Sequence, residues 1–572
     1  MIAEKIDELP IRQLKIVVFA VSLLLYSSSA VWICHKMGPT GDEPHYLMLA
    51  HSLLVDHDVD LYNNYQQKDY RYFFEGELQP HSFEYGKEGT LHSVHNVGFP
   101  LMILPAYWIG GRLGAALFVS LTGALLAVSM FSLGYDFSGS MTWALITSCV
   151  AFATVPLVPY ASQIYAEIPS ALLITVSFRW AWNFQEDDNL TPLLLGLVVA
   201  FLPWLHVKYL VACVALLLLA SVRFCRLGLK KRWALMSLGP FLMSLAVLSL
   251  FFWRWYGSPL PNAQYAAVPG TISFQRIPRA LIGWFLDQEY GILLYSPVYL
   301  VALAGVILAL WRRETRFLSI VVVFGSLYVV NLLHWPPGFC APGRLVVPEM
   351  PVLAAFMAYS LAAVRWRAFR FAFSGLALVS LANAGLMLST PVMLPNWSDG
   401  TSNLLTRLSP PGHDLTAYFP SLVPLAQMGH IASFEAESMW RNTGSDVQDL
   451  SASNGQARFA DPARDGPGAV VYGPYLTLQK GRYVAHFTLK ASDNISLTPI
   501  AALDVCGQTS DLTYVVLAAT ELAGPDFESP HVYKEFSLEF DNPGKLALEF
   551  RVFFQGAAGL WVDKIDLVRL GR

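Results

Sequence analysis

The sequence predicts a polytopic α-helical membrane protein of about 11 transmembrane helices, followed by a C-terminal extracytoplasmic β-sandwich. Three observations predict it. The 572 residues are 54% hydrophobic and only 14% charged, with a mean hydropathy of +0.44, too apolar for an ordinary soluble chain. Uncharged runs of roughly 20 residues, enough helix to cross a bilayer core, recur up to residue 391. After residue 395 the pattern changes to short alternating segments set between Gly, Pro, Asn and Asp.

The N-terminus carries Lys5, Arg12 and Lys15 ahead of an uncharged run from Ile16 to Cys34. With no Ala-x-Ala site after it, that run reads as a retained first helix. Further runs lie at 113–134, 141–160, 168–184, 233–253, 291–311, 317–334, 345–364 and 371–391. The stretch 190–222 would be about 50 Å long as one helix, against a core of about 30 Å. It therefore reads as a hairpin whose tip is Pro203-Trp204-Leu205-His206-Val207-Lys208-Tyr209. Charge supports this. With a cytoplasmic N-terminus and a hairpin, Arg223/Arg226/Lys230/Lys231/Arg232, Arg312/Arg313/Arg316 and Arg365/Arg367/Arg370 all fall on the cytoplasmic side, as the positive-inside rule requires.

The same topology gathers the unusual polar residues on the outer face. These segments are the first loop, residues 35–100; the turn with Glu167 and Pro169; the hairpin tip; the loop 256–290; and His334 to Arg344. In the first loop Asp42 and Glu43 stand beside Pro44, His45 and Tyr46, where a span meets water. One of the acids suffices to cap the helix that starts at Pro44 and runs towards Asp56; a second at that depth is costly unless it is used. Glu167 interrupts an otherwise uncharged stretch between Phe137 and Arg179, which marks it as a functional candidate or as a structural partner of Lys208 or Arg344. Arg344, behind Pro342-Gly343, reads either as a bidentate phosphate ligand or as an interfacial anchor.

Seven of the 13 histidines fall between His35 and His95. His45, His51 and His57 are six apart and do not share a helix face, while His92 and His95 sit among loop-forming residues. Tyr62, Tyr65, Tyr70, Tyr72, Phe73 and Phe74 suit either sugar stacking or packing of the loop. Six cysteines without a C-x-x-C pair give neither a disulfide framework nor a zinc site. A net charge of −4 and a pI near 6.4 argue against a nucleic-acid partner.

Gly41-Asp42-Glu43-Pro44-His45-Tyr46 after span one, Ala166-Glu167-Ile168-Pro169, the hairpin tip, Asp287-Gln288-Glu289-Tyr290-Gly291 and Pro342-Gly343-Arg344 together resemble the GT-C superfamily of integral membrane glycosyltransferases. The resemblance is nearest to the protein O-mannosyltransferase and aminoarabinose-transferase branch and covers about residues 10–390. It implies transfer of a hexosyl or pentosyl unit from a polyprenyl-phosphate donor to a hydroxyl of a glycan, lipid or protein acceptor, with inversion. By resemblance Asp42 is the general base and Glu43 positions the acceptor or His45; Glu167 is the second carboxylate. A departing phosphate calls for fixed cations, for which Arg344 leads and Lys208 and Arg279 follow. His45, Tyr46 and His206 are the candidate substrate-binding residues. A divalent ion, Mg2+ or Mn2+, between Asp42, Glu167 and a histidine is the candidate cofactor.

The expected domains are a transmembrane catalytic domain, 1–395, a linker, 396–429, and the sandwich, 430–572. Within the sandwich, Val471 to Leu476, Gly481 to Tyr483 and Leu560 to Leu567 look like carbohydrate-binding jelly-roll modules, with a purely structural cap as the alternative. Short cytoplasmic loops suggest a bacterial inner membrane in contact with its lipids, the C-terminal domain outside. The rival reading is a transporter or flippase of a lipid-linked saccharide with Asp42 and Glu167 as proton carriers; the absence of a visible internal repeat weighs against it.

Overall fold

Residues 9–75, 78, 80–84, 90–185, 190–260, 277–335, 337–396, 400–410, 413, 415–423, 429–478, 480–509, 513–544 and 546–570 are described by a computed structural model. Lys5, part of the loop 256–290, part of the linker 396–429 and Lys545 lie outside these residues. The chain divides into two compact units, Met1–Asn396 with Ser402–Leu422, and Trp397–Thr401 with Val423–Arg572.

The first unit is a bundle of apolar helices. In chain order we label α1 Ile11–Lys36, α2 Glu43–Val55, α3 Gly98–Ser138, α4 Met141–Phe152, α5 Glu167–Asn183, α6 Thr191–Leu205, α7 Leu210–Arg226, α8 Gly239–Tyr256, α9 Ile277–Leu286, α10 Leu300–Trp311, α11 Thr315–Asn331, α12 Met350–Ala363 and α13 Arg367–Ser389. Among the described residues, seven helical stretches are long and apolar enough to cross a membrane: Ile11–Lys36, Gly98–Ser138, Val207–Arg226, Lys231–Tyr256, Thr315–His334, Arg344–Ala363 and Arg367–Ser389. Three other expected spans are shorter, α4 with 12 residues, α6 with 15 and α10 with 12, while α5 has the expected 17. The Arg344–Ala363 stretch is central, 83% of its apolar window buried, whereas Lys231–Tyr256 is 22% buried. Its exposed residues include Leu242, Met243, Leu250 and Trp253, an apolar face suited to lipid.

Two interruptions shape the end of the bundle at which α1 stops. α3 is kinked at Gly110 and Gly111, the latter at φ +56°, a conformation that glycine adopts without steric cost. Between α6 and α7 the chain turns at His206, which is extended (φ −166°, ψ 134°). α2 follows α1 after a six-residue turn, and it is buried around most of its circumference, from Glu43 and Pro44 through Tyr46, Leu47, Met48, Leu49, Ala50 and Ser52. It packs on α3, and Met48 and Leu49 join Leu61, Tyr70 and Leu78 in a small core under the loop, with Tyr65, Phe73 and Phe74 against it. Most of the loop's aromatic set is thus spent on packing, with Tyr72 77% exposed.

The second unit consists of two antiparallel sheets. A first-loop hairpin, β1 Ser82–Glu84 and β2 Leu91–Ser93, precedes them in the chain; the later strands are β3 Gly429–Glu435, β4 Ser445–Gln448, β5 Gln456–Ala460, β6 Gly468–Val471, β7 Pro474–Thr477, β8 Gly481–Ala491, β9 Pro499–Gln508, β10 Tyr514–Ala523, β11 Lys534–Asn542, β12 Ala547–Phe554 and β13 Leu560–Arg569. One sheet runs β10-β9-β12-β6, with β7 also on β12; the other runs β11-β8-β13-β5-β4, with β3 on β13. Alternation places Tyr483, Ala485, Phe487 and Leu489 of β8 and Leu503, Val505, Phe550, Val552, Ile565 and Leu567 in one core.

Arg458 lies inside this unit at 2% exposure. Its Nε donates to Asp446 at 2.6 Å, and its Nη1 donates to the carbonyls of Met439 at 3.0 Å and Val470 at 3.3 Å. Arg458→Ala empties this site and strands two carbonyls, so it is expected to destabilise the sandwich by about 3–5 kcal/mol. Proteolytic susceptibility of this unit against temperature, in the full-length chain, measures the loss.

Candidate functional site

The turn between α1 and α2 is held in place by glutamate rather than by a helix cap. Gly41 takes φ +56°, and a Cβ there would meet the Tyr165 hydroxyl at 2.6 Å and the Phe339 carbonyl. Glu43, 1% exposed, accepts from the backbone N–H of Thr40 at 2.8 Å through Oε2 and from that of Ile164 at 2.9 Å through Oε1. Gln163 Nε2 adds a bond at 3.4 Å. This carboxylate ties the first loop to the turn before α5.

Asp42 occupies the N-cap position of α2, but its side chain makes no cap bond; its backbone carbonyl accepts from His45 and Tyr46. The carboxylate is aimed elsewhere. Arg344 Nη2 donates to Asp42 Oδ2, and Arg344 Nε donates to Glu167 Oε1 at 2.9 Å. One guanidinium thereby bridges two carboxylates 125 residues apart in sequence (167 − 42). Gly343 makes this possible: it takes φ +72° in a place where a Cβ would meet Ile292 and Pro156, and it starts the 3-10 turn Arg344–Glu349 that leads into α12. The guanidinium also lies over the Tyr165 ring, 4.7 Å from its centroid.

Lys208 stands behind this bridge, its Nζ 3.8 Å from Glu167 Oε1. The side chains of Lys208 and Glu167 are 4% and 3% exposed, Arg344 11% and Asp42 21%, so access to the node is from the Asp42 side. Glu167 Oε2 is buried and makes no hydrogen bond among the described residues. Burial opposes ionisation of Asp42, but the Arg344 guanidinium, with His95 and His81, overrides it and holds the carboxyl well below the usual carboxylate range.

The remaining candidates divide. His45 Nδ1 pairs with the Tyr65 hydroxyl at 3.1 Å, and burial lowers its basicity. Tyr46 is buried against His95 and Phe99, with ring centroids 4.7 and 4.9 Å away. His206 uses Nδ1 to accept from the backbone N–H of Lys208 at 3.1 Å, so it shapes the hairpin tip. Arg279 is exposed near the start of α9 and takes part in none of these contacts. Arg344 lies between Asp42 and Glu167, the position that the sequence reading gives to a divalent ion.

The sequence reading did not single out His81. The β1–β2 register pairs Ser82 with Ser93, which brings His81 beside His95, its Nδ1 3.2 Å from His95 Nε2. Asp42 lies with them. Burial pushes His95 down to about 3, against the pull of Asp42. A three-residue pairing leaves no alternation in the sequence by which His81 could be found. His92, by contrast, turns away to Trp255 and Tyr256.

No protein-family model matches the chain, and no curated protein matches it in sequence. Among solved structures, it is similar to ArnT from Cupriavidus metallidurans bound to undecaprenyl phosphate, at 15% identity and a TM-score of 0.42, over 68% of this chain and 67% of that one. It is also similar to the oligosaccharyltransferase AglB from Archaeoglobus fulgidus, in complex with an inhibitory peptide and a dolichol-phosphate. That match has 12% identity and a TM-score of 0.37, over 66% of this chain and 55% of the other. A CBM6 module of LamC from Zobellia galactanivorans is covered over 98% of its length by 24% of this chain, at 10% identity and a TM-score of 0.18. The chemistry of this chain rests on its own residues.

Proposed function

We propose that this chain is an extracytoplasmic membrane glycosyltransferase that moves a sugar from a polyprenyl-phosphate donor to an acceptor hydroxyl, with inversion. The observation that carries the reading is the Arg344 guanidinium bridging Asp42 and Glu167 at one end of an apolar helix bundle, with Lys208 behind it. A donor with a lipid tail and an anionic phosphate needs such cations beside a membrane-embedded wall. The phosphate competes with Asp42 for Arg344, so its arrival frees a carboxylate as the donor becomes seated. Asp42 then accepts the acceptor's proton while the new C–O bond forms at the anomeric carbon. The bond to phosphate oxygen breaks, and its electron pair leaves as charge that Arg344 and Lys208 meet.

Glu167 keeps the guanidinium oriented, and Glu43 acts as a positioning residue through Thr40 and Ile164. His45, Tyr46 and His206 bind the substrates, and Arg279 is a further cation for the phosphate. The N-terminus is cytoplasmic, in a bacterial inner membrane. The C-terminal sandwich binds glycan and raises the local acceptor concentration. The transferred unit is a hexose or pentose.

Equilibrium binding of a polyprenyl phosphate without sugar tests the phosphate site separately from chemistry. Lys208→Met and Arg344→Gln are each expected to weaken it about tenfold or more, the loss of a charge-assisted hydrogen bond being worth about 1.5–3 kcal/mol. Unchanged binding in both would remove these residues from the donor site.

A further inference from the structure

Asp42, His81 and His95 each present one ligand atom, and the three atoms lie within 4.8 Å of one another. They come from three places: the start of α2, the residue before β1 and a residue just after β2. The hairpin holds the two imidazoles together through the Ser82–Ser93 pairing and the bond from the Val94 N–H to the His81 carbonyl at 3.2 Å. We infer that these three residues bind one first-row transition-metal dication, with zinc as the best fit. The site is distinct from an ion held between the two carboxylates Asp42 and Glu167, and it stands on ligand geometry without needing the transfer reaction.

The donor set decides the class of metal. Two imidazole nitrogens and one carboxylate oxygen suit zinc, cobalt or iron, whereas magnesium and calcium prefer all-oxygen sites. Spacing agrees. Two nitrogens bound tetrahedrally at about 2.0–2.1 Å from zinc lie about 3.3 Å apart, and His81 Nδ1 and His95 Nε2 already stand at 3.2 Å. Such a pair needs a small shift of the carboxylate, not a rearrangement of the loop.

The surroundings supply the support that metal ligands need. Arg344 takes Asp42 Oδ2, which leaves Oδ1 for the ion and fixes the plane of the carboxylate. His45 packs beside both imidazoles, at centroid distances of 5.3 Å from His81 and 5.8 Å from His95. Tyr46 lies against His95 at 4.7 Å. The positive charge of Arg344 opposes the ion, while Glu167 on its other side offsets part of that charge. Three protein ligands leave at least one coordination position open, the pattern of a metal that also meets water or a ligand.

Full-length protein in nanodiscs, stripped with a chelator and re-metallated, gives a direct test by metal analysis and by the visible absorption of bound Co2+. One Zn2+ or Co2+ per chain is expected, with a tetrahedral or five-coordinate Co2+ spectrum. His81→Ala and His95→Ala should each weaken uptake at least tenfold, and His57→Asn, outside the cluster, should leave it unchanged. Unfolding temperatures without metal identify a variant that fails to fold, and the wild-type stoichiometry and spectrum judge the inference without any variant. The inference is overturned by wild type that takes up neither ion saturably, by uptake of Mg2+ alone, or by undiminished uptake in folded His81→Ala and His95→Ala.

Discussion

Replacing Asp42 by asparagine is expected to lower sugar transfer from a polyprenyl-phosphate donor by about 10²–10⁴-fold, the contribution of a positioned general base. The substitution is nearly isosteric, and the Asp42 side chain makes no helix-capping bond whose loss would loosen α2. Its backbone bonds to His45 and Tyr46 remain. Arg344 keeps its bond to Glu167, so a phosphate still finds its cation, now without a competing carboxylate. Donor affinity should therefore hold or rise while turnover falls. Purified variants assayed for both quantities separate this from misfolding. The effect of Asp42 as base is also separable from metal binding: His81→Ala removes an imidazole that the proposed proton transfer does not use. A variant that loses the ion but keeps transfer assigns the loss in Asp42→Asn to the base.

Arg344→Gln is expected to have the second large effect, and on two observables. Removing the guanidinium leaves Asp42 and Glu167 without the cation that bridges them, in a site where Glu167 is 3% exposed. Glu167 keeps Lys208 at 3.8 Å, so the loss stays below the roughly 3–5 kcal/mol of a fully stranded buried charge; the unfolding temperature should still fall, and transfer should drop by about 10²–10³-fold through loss of charge stabilisation on the leaving phosphate. Adding Glu167→Gln rebalances the node, leaving one carboxylate, Asp42, against the one buried cation, Lys208. The double variant should regain much of the stability and little of the activity. Recovery of both together would make Arg344 a structural ion-pair partner, with no direct part at the phosphate.

The sequence read differently at different scales. α1, α7, α8, α11, α12 and α13 were legible because long uncharged runs admit little but a spanning helix. β8, β9, β12 and β13 were legible because their apolar residues alternate against one core. α3 was longer than its apolar core at 113–134, since Gly98–Ile109 continues as helix up to the kink at Gly110 and Gly111. The helix after Pro44 was placed within a residue, but its setting was not: burial on both sides comes from α3 and from the loop's own core.

The acids of the site were visible as costly residues, whereas their partnerships were not. Asp42 and Arg344 are 302 residues apart, and nothing local pairs them. Glu43 resembles Asp42 in sequence but is committed to Thr40 and Ile164. His81 and His95 meet because a three-residue strand pairing closes between them, and segments so short carry too little alternation to be read as strands.

The most direct measurement uses the full-length protein in nanodiscs with a panel of radiolabelled polyprenyl-phosphate sugars, wild type beside Asp42→Asn, following label that leaves the lipid. The account predicts release or transfer from at least one donor by wild type, and its near-complete loss in the variant despite undiminished donor binding. Equal release by the two proteins, or Asp42-dependent movement of intact lipid-linked saccharide between leaflets without bond cleavage, would contradict it.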